Sequence, residues 1–121
     1  MFKQNDCRVT ITKVYELLNA LEEAFFVTKV KNYNINGKQI LKNFGKYYLT
    51  DIVFKKLVAD TITDIGRVIE NIVYNELKYR GYELFVGKNN FLEVDFVTKN
   101  TIETLYIQVT YLLEGHESTK E

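Results

Sequence analysis

Residues 66–111 read GRVIENIVYNELKYRGYELFVGKNNFLEVDFVTKNTIETLYIQVTY, and this stretch decides the fold. Asp64 precedes it as a good helix cap, and Ile65, Ile69, Ile72, Val73 and Leu77 recur at helical spacing. Gly81 stands where a helix-ending glycine belongs, so a helix is predicted over about 64–80. Tyr82 to Gly87, Phe91 to Thr98 and Thr104 to Leu112 then read as three strands, with turns at Asn89-Asn90 and at Lys99-Asn100-Thr101.

The polar residues in this stretch carry the chemistry. Side chains alternate along a strand, so Glu93 and Asp95 share one face while Val94 and Phe96 take the other. On the next strand Gln108 and Thr110 share a face, and Ile107 and Val109 point opposite. If the two strands are neighbours, Asp95 faces Gln108. Glu70 follows Ile69, off the apolar stripe of its helix, and a helix laid on the sheet would aim it at the same spot. Mg²⁺ is held by oxygen ligands and keeps several waters, so Asp95, Glu70 and Gln108 form a candidate metal set centred on Asp95. A metal there would polarise a phosphoryl oxygen and activate a water. The plainer reading stands beside it: strand acids are solvated, and Glu70 pairs with Arg67 three residues earlier.

Upstream, Val14, Leu17, Leu18, Leu21 and Phe25 recur at helical spacing, predicting a helix over about 12–25, capped by Thr12, with a core-facing stripe. Phe26 to Tyr33 and Lys38 to Leu41 are β-forming runs joined by Asn34-Ile35-Asn36-Gly37, a hairpin signal because Asn-Gly accepts positive φ. Thr50 or Asp51 can cap a short helix over roughly 51–58, and residues 59–63 connect it to the next. Helix then hairpin is the tail of a winged-helix module, of which only a part fits after Met1.

The 121 residues are 46% hydrophobic and 14% aromatic, enough for a packed core. No apolar run approaches the ~20 residues that cross a bilayer, residues 1–12 are too polar for a signal peptide, and Cys7 is a lone, passive thiol. These features predict a cytoplasmic protein without membrane attachment. No Gly-x-x-x-x-Gly-Lys loop is present, so no nucleotide is expected by that route. The formal net charge is zero, yet residues 28–56 hold seven lysines against Asp51 alone, whereas residues 57–121 hold eleven acids against six bases. Lys29, Lys31 and Lys38 on the hairpin are candidates for contact with DNA phosphates; lysines also solvate a small sheet and guard its edges.

The pieces Gly66-Arg67 with Glu70-Asn71, Glu76-Leu77 with Arg80-Gly81-Tyr82, Glu93-Val94-Asp95-Phe96 and Ile107-Gln108-Val109, together with Lys46-Tyr47-Tyr48-Leu49-Thr50-Asp51, resemble the C-terminal domain of a large group of prokaryotic AAA-type ATPases. That domain is known mainly as a domain of unknown function and is similar to PD-(D/E)XK nucleases. The resemblance covers roughly residues 12–115 and implies a restriction-endonuclease-like core in which Glu70, Asp95 and Gln108 are the acid and ligand positions. The catalytic lysine position is held by Thr110, where an ammonium is wanted to stabilise charge on the phosphate. Lys88 is a candidate substitute.

The expectation is therefore an α+β chain. Residues 1–58 form a helix, a basic hairpin and a short helix, a winged-helix-like remnant; residues 59–121 form a helix on a three-stranded sheet, a truncated nuclease-like core. The chain reads as a fragment, lacking the ATPase core and the last helix and strand of the nuclease fold. The function expected is that of a catalytically degenerate interaction or nucleic-acid-binding module; the alternative is an active Mg²⁺-dependent DNase. Expected partners are DNA, an ATPase core or another protein, and a second copy of the chain, because Val94, Phe96, Ile107 and Val109 would line a face that one helix cannot cover.

Overall fold

The computed structural model describes residues 9–58 and 64–111; Cys7, the connector 59–63, Leu112 and the tail 114–121 lie outside them. In chain order the elements are α1 (Ile11–Glu23), β1 (Val27–Asn34), β2 (Gln39–Leu49), α2 (Val53–Val58), α3 (Ile65–Tyr79), β3 (Leu84–Lys88), β4 (Glu93–Lys99) and β5 (Thr104–Ile107). The fold is mixed α+β. Its strands form one five-stranded sheet in the order β2-β1-β3-β4-β5. The expected three-stranded sheet is corrected here: the hairpin joins it, because β1 runs parallel to β3, pairing Asn32 with Val86 and Tyr33 with Gly87. All other neighbours are antiparallel.

Short-range chemistry fixes the element ends. The hydroxyl of Thr10, not of Thr12, accepts from the Lys13 N–H and caps α1. The Asp64 carboxylate accepts from the Arg67 N–H at 3.1 Å and caps α3. α3 ends in a Schellman motif: Gly81 takes φ 89°, its N–H donates to Lys78 O, and the Tyr82 N–H donates to Leu77 O. Three asparagines close the hairpin turns. Asn34, Asn89 and Asn100 each accept, on the side-chain oxygen, the N–H groups two and three residues on. The first turn departs from the Asn-Gly expectation. Lys38, with φ 50°, supplies the left-handed residue and Gly37 does not.

β2 is far longer than the predicted 38–41, reaching Leu49 after a register shift opposite Lys31 and Asn32. β5 is shorter than predicted. Past Ile107 the Val109 N–H donates to the side-chain carboxylate of Asp95 on β4 and not to a backbone carbonyl.

The main core lies between α3 and one face of the sheet: Val30, Tyr48, Tyr74, Leu84, Val86 and Phe96, with Val73, Leu77, Ile107 and Val109 packed around them. Tyr48 stacks on Tyr74 with ring centroids 4.4 Å apart, and Phe96 lies against both. A smaller cluster of Tyr33, Phe85 and Val97, with Ile35, occupies the opposite face.

Two expectations about faces are corrected. The buried side of α3 holds Asn71 and Tyr74 beside Val73 and Leu77, while Ile65 and Ile72 are about half exposed. The helix is rotated because its polar residues have partners on the sheet. α1 contributes no buried residue, and Ile11, Leu17 and Leu21 remain exposed, so its stripe is not core among the described residues. No helix of the described residues is long and apolar enough to cross a membrane.

Candidate acidic site on the α3 face of the sheet

A bulge in β4 builds the site. Phe85 pairs with Val97 and Gly87 with Val94, so two β3 steps span three β4 steps, and Asp95 and Phe96 together oppose Val86. A Cβ on Gly87 would meet Val94 and Val97 on the same side, so those two valines share the smaller-core face. Phe96 packs in the main core instead. The alternation that paired Val94 with Phe96 is thereby broken, and Glu93, Asp95 and Phe96 all face α3.

β2 supplies the other wall. Lys46 lies across from Val30, and Tyr48 across from Thr28. Period-two alternation puts Lys46 and Tyr48 on the α3 face and Tyr47 on the other. α3 is stitched to the end of this strand by Asn71. Its side-chain oxygen accepts from the Leu49 N–H and its Nδ2 donates to Leu49 O, both at 2.9 Å, and Asn75 Nδ2 donates to the same carbonyl. One residue earlier, that anchoring places Glu70 over Tyr48 and Lys46.

The contacts form a continuous chain from Tyr48 through Glu70, Lys46 and Glu93 to Lys88, with Asp95 and Gln108 as a separate pair on the same face. Tyr48 donates its hydroxyl to Glu70 Oε1 at 2.5 Å, and Lys46 Nζ lies 3.2 Å from the same oxygen. The Lys46 ammonium also contacts Glu93 Oε1 at 2.5 Å, and Lys88 pairs with the other oxygen of Glu93. Asp95 Oδ2 accepts from Gln108 Nε2 and from the Val109 N–H, each at 2.7 Å.

The ionisations follow from these contacts. Burial alone would lower the Lys46 pKa, but its hydrogen bond to Glu93 and the charge of Glu70 outweigh burial and hold it above the ordinary lysine value. Burial would raise Glu93, yet the hydrogen bonds from Lys46 and Lys88 keep it below the ordinary glutamate value. Burial and then the hydrogen bond to Glu70 push the Tyr48 phenol far up, so it stays a donor. A cleft of about 740 Å³ opens beside the network between β2, α2 and α3, with Lys46, Lys55, Arg67, Glu70 and Glu93 in its lining.

The structure thus brings Asp95 and Gln108 together and puts Glu70 on the same face. Glu70 pairs with Lys46 and not with Arg67, whose guanidinium is 3.1 Å from Asp64. Thr110 is exposed. Lys88 does reach in, to Glu93 and not to Asp95. The hairpin lysines lie elsewhere. Lys29 and Lys31 alternate with Val30 and so point to the opposite face, where Lys29 lines a cavity of about 370 Å³ beneath α1, and Lys38 sits in the turn. Sequence reasoning missed Lys46 and Tyr48. The signal was the Lys-Tyr-Tyr alternation, legible only once 45–49 is known to be strand.

The acids are engaged by protein donors in a way that bears on Mg²⁺. Lys46 occupies the space between Glu70 and Glu93, and Gln108 presents its nitrogen to Asp95, so a divalent ion would require both to move. Among the described residues no group of three or more His, Cys, Asp or Glu is arranged to hold a metal.

Among known proteins, an uncharacterized protein of Haemophilus influenzae is 38% identical over 113 residues, covering 93% of this chain and 27% of its own length. An uncharacterized protein of Methanocaldococcus jannaschii is 28% identical over 125 residues, covering the whole chain and 27% of its own length. The chain spans about a quarter of the length of the curated relatives it matches. No family model matches it, and no solved structure matches it.

Proposed function

We propose that this chain is a nuclease-like module of the kind attached to AAA-type ATPases, and that it holds a nucleic-acid backbone without cutting it. The observation that carries this reading is that each acid of the site is already held by a donor of the protein: Glu70 by Tyr48 and Lys46, Glu93 by Lys46 and Lys88, Asp95 by Gln108 and the Val109 N–H. A nuclease needs such carboxylates to hold a metal and a free ammonium to meet the phosphate. Here the ammonium groups are spent on the carboxylates, and Thr110 supplies none.

Binding is supported by the cleft beside the network. Lys55 lines it, as does Arg67, which also pairs with Asp64, and cationic side chains in a groove are what phosphate backbones need. The test uses labelled single- and double-stranded DNA in anisotropy titrations over a range of salt, with plasmid nicking assayed in Mg²⁺ or Mn²⁺. Salt-dependent binding that weakens and loses salt slope in a Lys55→Ala, Arg67→Ala variant, with no nicking, is the expected result. Metal-dependent cleavage abolished by Asp95→Ala would establish the DNase reading instead, and no DNA affinity at low salt would end the proposal.

A further inference from the structure

The position of Lys46 has a consequence for metal selectivity. Its ammonium lies 3.2 Å from Glu70 and 2.5 Å from Glu93, two carboxylates from different elements. The Glu70 side chain is only 16% exposed. Lys88 serves Glu93 alone. Asn32 lies on the same face of the sheet. It is 8% exposed, and its pairing with Val86 puts it on the α3 face, on β1 and two residues along from Val30, the partner of Lys46. The side-chain oxygen of Asn32 is buried and has no hydrogen-bond partner among the described residues. A buried oxygen left unpaired is costly and calls for an explanation.

We infer that Lys46 is a tethered cation that keeps divalent metal ions out of the Glu70–Glu93 pair, and that removing its charge leaves an oxygen-ligand site for Mg²⁺ or Mn²⁺ in its place. The inference rests on the reading of the acids as internally neutralised. A tethered ammonium satisfies both carboxylates at high effective concentration, and it repels an incoming divalent ion at contact distance. Without it, two carboxylates stay partly buried with a single remaining counter-ion, an arrangement that favours uptake of a cation. Carboxylate and amide oxygens suit hard divalent ions.

The experiment is Mn²⁺ titration of the intact chain, followed by electron paramagnetic resonance and calorimetry, with no nucleic acid present. Lys46→Met keeps the stem and removes the charge; Lys46→Arg keeps the charge. The Met variant is expected to bind one Mn²⁺ on the order of tenfold or more tighter than wild type, and to lose that gain when Glu70→Gln is added. The Arg variant should stay like wild type. Thermal melts with and without Mn²⁺ cover a marginally folded Met variant, since the metal should then raise its melting temperature and not that of wild type. Equal Mn²⁺ affinity in wild type and Lys46→Met, or neither a binding gain nor a melting shift in Lys46→Met, would overturn the inference. Failure to bind DNA would leave this result standing, and failure here would leave DNA binding standing.

Discussion

Replacing Tyr48 by Phe removes one oxygen from the middle of the site and little else. The ring is 4% exposed and sits between Tyr74 and Phe96, so Phe keeps its stacking. What disappears is the 2.5 Å hydrogen bond to Glu70. A hydrogen bond to a charged partner contributes about 1.5–3 kcal/mol, and Glu70 would keep only Lys46. At roughly 3–6 °C per kcal/mol for a chain of this size, the melting temperature should fall by about 5–18 °C. Denaturant melts of Tyr48→Phe, Glu70→Gln and the double variant would form a cycle whose coupling energy isolates the pair. Adding Phe in the Glu70→Gln background should cost far less than in wild type. A single variant within about 0.5 kcal/mol of wild type, a level typical of inconsequential surface changes, would refute the claim that this hydroxyl anchors Glu70.

Glu93 is depressed below its ordinary pKa of 4.5 by Lys46 and Lys88. The stability it contributes is present above that value and lost as pH falls through the folded-state pKa. Thermal melts from pH 7 to pH 3 should therefore converge for wild type and Glu93→Gln at the acid end, and parallel curves would contradict this. Gly87→Ala should cost about 1–3 kcal/mol by overpacking, because the added Cβ would lie 2.7 Å from Val97 Cγ2 and 3.0 Å from Val94 Cβ. Chemical denaturation reads that loss, and an unchanged midpoint would show that β3 and β4 can part at the bulge. The exposed apolar residues of α1, among them Leu17 and Leu21, should drive self-association at micromolar concentration. Light scattering should report a mass above the monomer that falls to it in Leu17→Asp, and a monomeric wild type would exclude this interface.

Most of the elements were legible because their boundaries rest on local chemistry. Asp64, Gly81, Asn89 and Asn100 mark caps and turns that act within a few residues, and each behaves as its side chain dictates. The errors arose where distant contacts decide. The buried side of α3 was misplaced because Asn71 and Glu70, polar in sequence, are satisfied by Leu49, Tyr48 and Lys46, more than twenty residues away. β2 was cut short because its register shift hides the alternation that runs through Lys46 and Tyr48. The β4 bulge is invisible in Glu93-Val94-Asp95-Phe96, since it is set by the pairing with β3. The Asp95–Gln108 contact, by contrast, follows from the neighbouring of the two strands, although the bulge and not plain alternation turns Asp95 toward α3.

The energetics of the site favour a role beyond holding the fold together. A partly buried network of ions is weak support for stability, because desolvation offsets much of the attraction and well-packed apolar residues often do as well or better. Tyr48, Tyr74 and Phe96 already form a packed aromatic core next to it, and extending that core toward Lys46 and Glu70 with apolar side chains would be the simpler way to stabilise this end of the sheet. Instead the chain keeps Glu70, Lys46, Glu93 and Lys88 in a series of ion pairs beside an open cleft. Each neutralises another, so the folded state tolerates them, yet loss of any one exposes the charge of its neighbour. A divalent cation entering the cleft would therefore have to compete with Lys46 for Glu70 and Glu93, and the Lys46→Met titration reads how far that ammonium holds it out.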